Sequence, residues 1–223
     1  MLKATLKRFL FIVLTATLAG LAGCSNPEKK RANQLDQALE LSEAGQRDAA
    51  LAILEALQQE YPNDGEILQS IGQIYAEQGD PTTAAFFLEQ AYLQQPDDIE
   101  LLYRTYQLKE DAGQPSGETL EKLAELSPAT MTRDLWIKLG AVRAKKNQTE
   151  SALEAYLKGI DPDKDAPAPE TAAAIGQLFA QLGNHAQAAN WLEMAADNDD
   201  PVALTALFGL LQIQLNDKNW PGA

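Results

Sequence analysis

The sequence predicts an all-α fold built from successive pairs of antiparallel helices, and three observations support this. Residues that favour helices (Ala, Leu, Gln and Glu) dominate the 223-residue chain. Apolar residues recur three and four positions apart, as Leu68 and Ile71 do, which is the spacing of one helix face. Small residues recur at an interval near 34, since Gly140 follows Gly72 after 68 residues and Gly176 follows after a further 36. Such an interval is typical of arrays in which each repeat is one helix pair.

The first element along the chain is a predicted targeting segment. Three basic residues, Lys3, Lys7 and Arg8, precede an apolar run over residues 9–18. A positive region followed by a short apolar core is typical of a secretory signal peptide. Residues 9–23 number 15, whereas a membrane-spanning helix needs about 20 apolar residues. We therefore expect residues 1–23 to be a signal peptide, with an uncleaved anchor or an ordinary secretory leader as the alternatives.

The end of this segment carries a possible lipid-attachment site. Residues 21–24 read LAGC, and Cys24 is the only cysteine of the chain. They resemble the lipobox of bacterial lipoproteins, which implies cleavage before Cys24, acylation of this residue and a lipidated tether over 24–30. In proteobacterial lipoproteins an Asp after the cysteine implies inner-membrane retention, so Ser25 indicates the periplasmic face of the cell outer membrane. The three cations at 29–31 either contact anionic lipid headgroups or are solvated.

Five predicted repeats and a partial sixth follow, with bounds of about 31–64, 65–98, 99–132, 133–166, 169–202 and 203–223. The second repeat shows the full pattern, with Leu68, Ile71, Gly72, Tyr75, Gly79, Ala84, Leu88, Ala91 and Pro96. These residues resemble the tetratricopeptide repeat. The resemblance implies a right-handed α-solenoid of about five repeats plus one C-terminal helix, in which the first helix of each pair lines the concave face. A plain helix bundle is the alternative.

Two details of the repeats lead to local expectations. The turns within pairs are predicted to hold glycine in left-handed backbone, at Gly45, Gly79, Gly113 and Gly183. The third repeat fits the pattern least well, because Tyr106 replaces a small residue and its second helix is predicted to begin late, at about Ser116. The helix of the partial sixth repeat has an apolar face formed by Leu204, Leu207, Phe208, Leu211 and Leu215.

Composition argues against several kinds of chemistry. The chain has 18 basic and 32 acidic residues and a formal net charge of −14, which disfavours binding to nucleic acid. A single Cys and a single His exclude an internal disulfide, a cysteine-built metal site and a two-histidine site. Asp161, Asp163 and Asp165 begin like a calcium loop, but Ala166 and Ala172 stand where Gly and Glu are required. No phosphate loop or nucleophile elbow occurs. We therefore predict no enzyme activity, no cofactor and no metal site.

The resemblance also identifies candidate residues of a partner-binding groove. They are Leu35, Leu39, Glu66, Gln69, Gln73, Glu77, Glu100, Tyr103, Gln107, Glu110, Asp111, Lys145 and Gln177, and the same helix positions include Ser42 and Glu43. Relatives that bind a chaperone's acidic C-terminus use Lys and Asn at such positions. The first two repeats lack Lys and Arg there, which argues against that binding. An acidic, amide-rich groove suits a peptide with basic or polar groups, or an apolar helix anchored on Tyr103. The alternative is that these are solvated helix faces.

Together these observations predict a lipid-anchored, non-enzymatic adaptor of the bacterial cell envelope that binds a protein or peptide partner on its concave face. The identity of the partner is not predicted. Two alternatives remain at this point. One is an enzyme or small-ligand-binding envelope protein. The other is a structural subunit that self-associates through residues 203–223.

Overall fold

The structure is a computed structural model that describes residues 26–160, 167–197 and 201–217. The predicted signal peptide, Cys24, the acidic loop at 161–165 and residues 218–223 lie outside the described residues. The described part of the chain consists of α-helices, one 3₁₀ turn and connecting turns, without a strand. The predicted all-α fold of tandem helix pairs is therefore confirmed.

The helices are α1 (Pro27–Glu43), α2 (Arg47–Glu60), α3 (Gly65–Glu77), α4 (Pro81–Gln94), α5 (Ile99–Asp111), α6 (Gly117–Leu126), α7 (Arg133–Lys145), α8 (Thr149–Gly159), α9 (Pro169–Gln181), α10 (His185–Ala196) and α11 (Pro201–Asp217). The 3₁₀ turn over Pro128–Thr130 lies between α6 and α7. The chain divides into two compact units between Ala112 and Gly113, so the first unit holds α1 to α5 and the second holds α6 to α11. This division lies inside the third predicted repeat.

Tight turns make consecutive helices antiparallel neighbours. Helix α1 packs on α2, α3 on α4, α7 on α8 and α9 on α10, each across a three-residue turn. The predicted left-handed turn glycines are confirmed, with φ of +77° at Gly45, +79° at Gly79, +63° at Gly113 and +75° at Gly183. Asn147 holds the equivalent place between α7 and α8 with φ of +57°, because Asn tolerates this region better than most side chains.

Close helix approach accounts for the recurring small residues. A Cβ atom at Gly72 would lie 2.6 Å from Cδ2 of Leu88 and 3.2 Å from the backbone oxygen of Ala84. The same relation holds in the second unit, where a Cβ at Gly176 would lie 2.7 Å from Cγ of Leu192. Glycine therefore lets α3 contact α4, and α9 contact α10, at a distance that a larger residue would prevent.

The N-terminal end of the first unit differs from the prediction. Helix α1 begins at Pro27, so residues 27–30, which the sequence predicts to belong to the tether, form its first turn. The side chain of Asn26 accepts a hydrogen bond from the backbone N–H of Glu28 at 3.1 Å. Proline at the first helical position has no N–H that would need a partner there. Asn26 and Pro27 thus start the helix before residue 31.

Helix α11 packs on α9 and α10 in the second unit. Ala203, Ala206 and Ile213 face the core and are at most 8% exposed. The opposite face carries large apolar side chains that are more than half exposed, namely Leu204, Leu207, Phe208, Leu211 and Leu215. Among the described helices, none has the length and apolar character needed to cross a membrane.

Candidate functional site

The candidate site is a groove between α1 and α3 in the first unit. It consists of two adjoining hollows that share Leu39, Ser70 and Gln73, and we refer to it as the α1–α3 groove. Helices α1 and α3 are the first helices of successive pairs, so residues 34 positions apart occupy equivalent places along it. Leu39 corresponds to Gln73 in this way, and Glu43 corresponds to Glu77. Six predicted groove residues line it: Leu35, Leu39, Glu66, Gln69, Gln73 and Glu77.

Leu39 is the exposed apolar centre of the groove. Its side chain is 41% exposed. Asp36 lies three residues before it and Glu43 four residues after it, so all three share one face of α1. Leu35, also predicted to line the groove, is instead a core residue that is only 7% exposed and packs in the core of the first unit. Leu39 is therefore the leucine that a partner would contact.

Both arginines of the groove are held by carboxylates of the same unit. Arg31 hydrogen-bonds to Asp64 and donates to Oε2 of Glu66 at 2.7 Å. Arg47 donates to Oε2 of Glu77 at 3.1 Å. These ion pairs join each arginine to a residue at an end of α3 and leave it little charge to offer a partner.

Two carboxylates of the groove are not neutralised in this way. Within residues 26–160, 167–197 and 201–217, neither Asp36 nor Glu43 has an ion-pair partner. The whole first unit, from residue 26 to 112, carries 17 acidic and 6 basic side chains. The surface around Leu39 is accordingly negative and attracts cationic groups.

The ion pair at Arg31 also changes the pKa values of the groups that form it. Partial burial would raise the pKa of Asp64, but hydrogen bonds from Arg31 and from the backbone N–H groups of Ile67 and Glu66 outweigh it, and the pKa lies below its usual value. The hydrogen bonds to Asp64 and Glu66 raise the pKa of Arg31. Nζ of Lys30 lies 3.4 Å from Oε2 of Glu60. Two of the three cations predicted to meet lipid headgroups or solvent are thus paired with carboxylates.

The remaining predicted groove residues lie elsewhere. Five are on α5 of the first unit, where Glu100, Gln107, Glu110 and Asp111 are exposed and Tyr103 is half-buried with its ring 6.4 Å from that of Tyr106. Lys145 is exposed at the end of α7 in the second unit. Gln177 lines a separate hollow of that unit with His185 and Gln212. The binding roles of these residues stay predictions.

Seven residues that line the groove are not among the predicted ones, namely Arg31, Ala32, Asp36, Gly45, Arg47, Ser70 and Ile74. The repeat interval could have identified two of them, since Asp36 and Ser70 are 34 residues apart and adjoin Leu35 and Gln69. The two arginines carry no such signal, because their contacts depend on carboxylates about 30 residues further along the chain.

Among the residues that the structure describes, no group of three His, Cys, Asp or Glu side chains is placed to hold a metal ion.

Stacked helix pairs with a polar groove along their first helices define an interaction module of the helical-repeat class. Residues 41–108 match a family model of the tetratricopeptide repeat, and residues 173–223 match a second one. The chain therefore carries tetratricopeptide repeats, as the pattern around Gly72 predicts. No curated protein matches the chain.

The chain is also similar to several solved structures. One is the crystal structure of the MamA protein, which is 18% identical, covers 88% of this chain and 98% of its own, and gives a TM-score of 0.46. Another is YrrB, described as a TPR protein with an unusual peptide-binding site, at 19% identity, 82% and 93% coverage and a TM-score of 0.49. A third is MamA, from residue 41 to its end, of Desulfovibrio magneticus RS-1, at 21% identity, 77% and 98% coverage and a TM-score of 0.43.

Proposed function

We propose that this protein is a non-enzymatic interaction scaffold of the bacterial cell envelope. A lipid on Cys24 holds it on the periplasmic face of the outer membrane, and the α1–α3 groove binds a segment of another protein. The tetratricopeptide repeats support the binding role, because such arrays present their first helices as extended binding surfaces. The observation that carries the proposal is the exposed Leu39 between two carboxylates that have no ion-pair partner among the described residues.

The groove suits a segment with an apolar side chain between two cations. Asp36 and Glu43 are seven residues apart on one helix, which places them about 10 Å apart along its axis. Two cations four residues apart in an extended peptide point to the same face as the residue midway between them and span about 13 Å, at about 3.3 Å per residue. The flexible side chains of Lys or Arg make up the small difference from the spacing of the two carboxylates. The peptide would place its apolar side chain on Leu39, while Gln69 and Gln73 offer amide groups for its backbone.

Photo-crosslinking in intact cells tests the binding role with whatever partner the cell supplies. A photoreactive residue at Leu39 is expected to yield a discrete protein adduct. The same residue at Leu93, which is 56% exposed on α4 of the same unit, is the matched control and should yield no such adduct. Equal adducts from both positions, or none from Leu39, would rule out the groove as the binding site.

Charge-neutralising variants test the chemistry of binding. Asp36→Asn and Glu43→Gln should each weaken the adduct at Leu39, because each removes one carboxylate that attracts a cation. Glu40→Gln is the matched control, since Glu40 is an exposed carboxylate of the same helix that does not line the groove. If all three variants reduce crosslinking alike, net charge and not the groove accounts for the attraction.

The lipid anchor is tested separately. Helix α1 begins at Pro27, so only Ser25 and Asn26 separate it from Cys24, and three residues reach at most about 10 Å. Cys24→Ser should release the protein from membranes into the soluble periplasmic fraction, because it removes the acyl chains. Ser25→Asp should keep it membrane-bound but move it to the inner membrane on a density gradient. Membrane retention of the Cys24→Ser protein would contradict the anchor.

A further inference from the structure

The exposed apolar face of α11 occupies a position that is buried in α3, α7 and α9. The residue just before the helix glycine is Ile71 in α3, Leu139 in α7 and Ile175 in α9, and each of them is 0% exposed. In α11 the residue before Gly209 is Phe208, which is 70% exposed. The family model that matches residues 173–223 includes α11, which supports this equivalence. Phe208 therefore belongs to a packing face that nothing in the described part of the chain covers.

The geometry of this face is that of a helix-packing seam. Leu204, Phe208, Leu211 and Leu215 follow one another at spacings of four, three and four residues. This is the a/d spacing with which one helix packs along another in a coiled coil. Leu207, 51% exposed, flanks the seam. The surface is thus shaped to receive a helix rather than an extended peptide.

The order of these spacings (four, three and four residues) is the same from either end of the helix. A two-fold axis between Phe208 and Leu211 would place Phe208 against Leu211 of a second copy, and Leu204 against Leu215 of that copy. Such reciprocity is what a symmetric dimer requires, because residue i must meet residue j while j meets i. The seam of α11 is consequently complementary to itself in antiparallel orientation.

Charge favours a second copy as the occupant. Residues 201–216 contain no charged side chain, although the chain as a whole has a net charge of −14. Two copies meeting along α11 therefore bring no like charges together in the seam. Glu193 and Asp197 lie beside Leu207 at the edge of the face, where solvent and salt screen them.

The exposed area is of the order that a dimer needs. Five large apolar side chains are 51–70% exposed, and each presents roughly 150–200 Å² when fully exposed, so together they offer roughly 500 Å². Met194 on α10 is 44% exposed beside Leu207 and adds to this. Stable interfaces bury about 800 Å² per partner, including the polar rim. A patch of this size is near the upper end of what monomeric proteins expose, and such patches often mark interaction sites.

We propose that two copies of this protein associate through an antiparallel contact between their α11 helices, centred on Phe208 and Leu211. Sedimentation of the full chain in density-matched detergent tests this. The wild-type protein should change from one to two chains per particle as its concentration rises through the micromolar range. Added salt should strengthen the association, because it screens the acidic surfaces and leaves the apolar contact intact.

Variants then locate the contact. Phe208→Glu should weaken dimerisation by at least about tenfold, because it would bury a charge against Leu211 of the second copy. Phe208 is mostly exposed, so the folded chain tolerates the change, and an unaltered circular-dichroism melt verifies this. Phe86→Glu is the matched control, since Phe86 is an aromatic residue of α4 that is 56% exposed, and it should dimerise like wild type.

Mixing tests the antiparallel register. The Phe208→Glu chain mixed with a Leu211→Lys chain should form a mixed dimer, in which the two new charges meet at one half of the seam and the native Phe208–Leu211 contact forms at the other. Each variant alone should dimerise less than the mixture. A wild-type protein that stays monomeric, a Phe208→Glu protein that dimerises normally, or a mixture no stronger than its components overturns the proposal.

Discussion

The contact between Gly72 and Leu88 makes a quantitative prediction about packing in the first unit. Gly72→Leu would place a side chain where even a Cβ lies 2.6 Å from Leu88 Cδ2, and Leu88 is only 1% exposed, so it has no space to move into. The backbone oxygen of Ala84, 3.2 Å away, cannot move without displacing α4. Overpacking of this kind costs about 1–3 kcal/mol, and Leu placed at a helix-interior Gly regains about 1 kcal/mol of helix propensity.

Because Leu adds three carbons beyond the clashing Cβ, we expect the upper part of that range, a net loss of about 2 kcal/mol. At roughly 2–4 °C per kcal/mol for a chain of this length, the melting midpoint of the first unit falls by about 4–8 °C. Denaturant unfolding followed by circular dichroism measures the free energy directly. Gly65→Leu is the matched control in the same helix, because a Cβ there meets the side-chain end of Gln95, which is half-buried and can rotate away.

A compensating change provides the decisive test. Leu88→Ala alone leaves a cavity and costs about 2–5 kcal/mol. Gly72→Leu with Leu88→Ala moves one leucine side chain from α4 to α3 across the same contact, so the double variant should be more stable than the sum of the two losses predicts. Full additivity, or a Gly72→Leu protein as stable as the Gly65→Leu protein, would refute the proposed packing.

Three further predictions concern single interactions. Asn147→Gly should stabilise the second unit by up to about 1 kcal/mol in thermal unfolding, because Gly adopts positive φ without steric cost, and an unchanged or lower midpoint would count against this. Asp64→Asn keeps an oxygen that can cap α3 but loses the charged bond to Arg31, so it should cost about 1–2 kcal/mol above pH 5. The pKa of Asp64 is lowered in the folded state, so its contribution to stability is complete above the unfolded pKa and is lost as the pH falls through the folded pKa. The difference in free energy of unfolding between wild type and Asp64→Asn should therefore narrow in acid. A difference that does not change with pH would contradict this. Glu89→Gln should cost about 1 kcal/mol in denaturant unfolding, because Nζ of the largely buried Lys109 loses its carboxylate partner at 2.6 Å, and no loss would show that solvent replaces the pair.

Much of the fold follows from the sequence because it depends on local and periodic features. The spacing of Gly72, Gly140 and Gly176 locates the close helix contacts, and the turn glycines locate the ends of helices. A search for glycine alone misses the turn at Asn147, which stands 34 residues after Gly113 and has left-handed backbone but is not a glycine. The pair of Asn26 and Pro27 indicates the early start of α1, whereas the resemblance to lipoproteins implies a tether over 24–30.

The groove was predictable only in part, for a physical reason. The periodicity indicates which residues project from the first helices, so it identifies Leu39 and Gln73. It does not indicate which charges neutralise one another, because the partner of Arg31 is 33 residues away and is reached only after two helices have packed. The sequence therefore predicts an acidic groove, whereas the structure shows that Asp36 and Glu43 are the groove carboxylates without an ion-pair partner in the part of the chain that it describes.

Leu192 has a double role that bears on how the second unit opens. Its Cγ and Cδ2 would meet a Cβ at Gly176 of α9, and its Cδ1 would meet one at Gly209 of α11, at 3.0 Å. Helix α11 thus packs on a side chain whose position depends on the contact between α9 and α10. It follows that α11 can detach while α9 and α10 stay in contact, whereas α9 and α10 cannot separate while α11 stays packed. Amide hydrogens of α11 should exchange with solvent before those of α9 and α10. Any ligand or second copy that binds α11 would slow this first opening step, and through it the unravelling of the helices beneath.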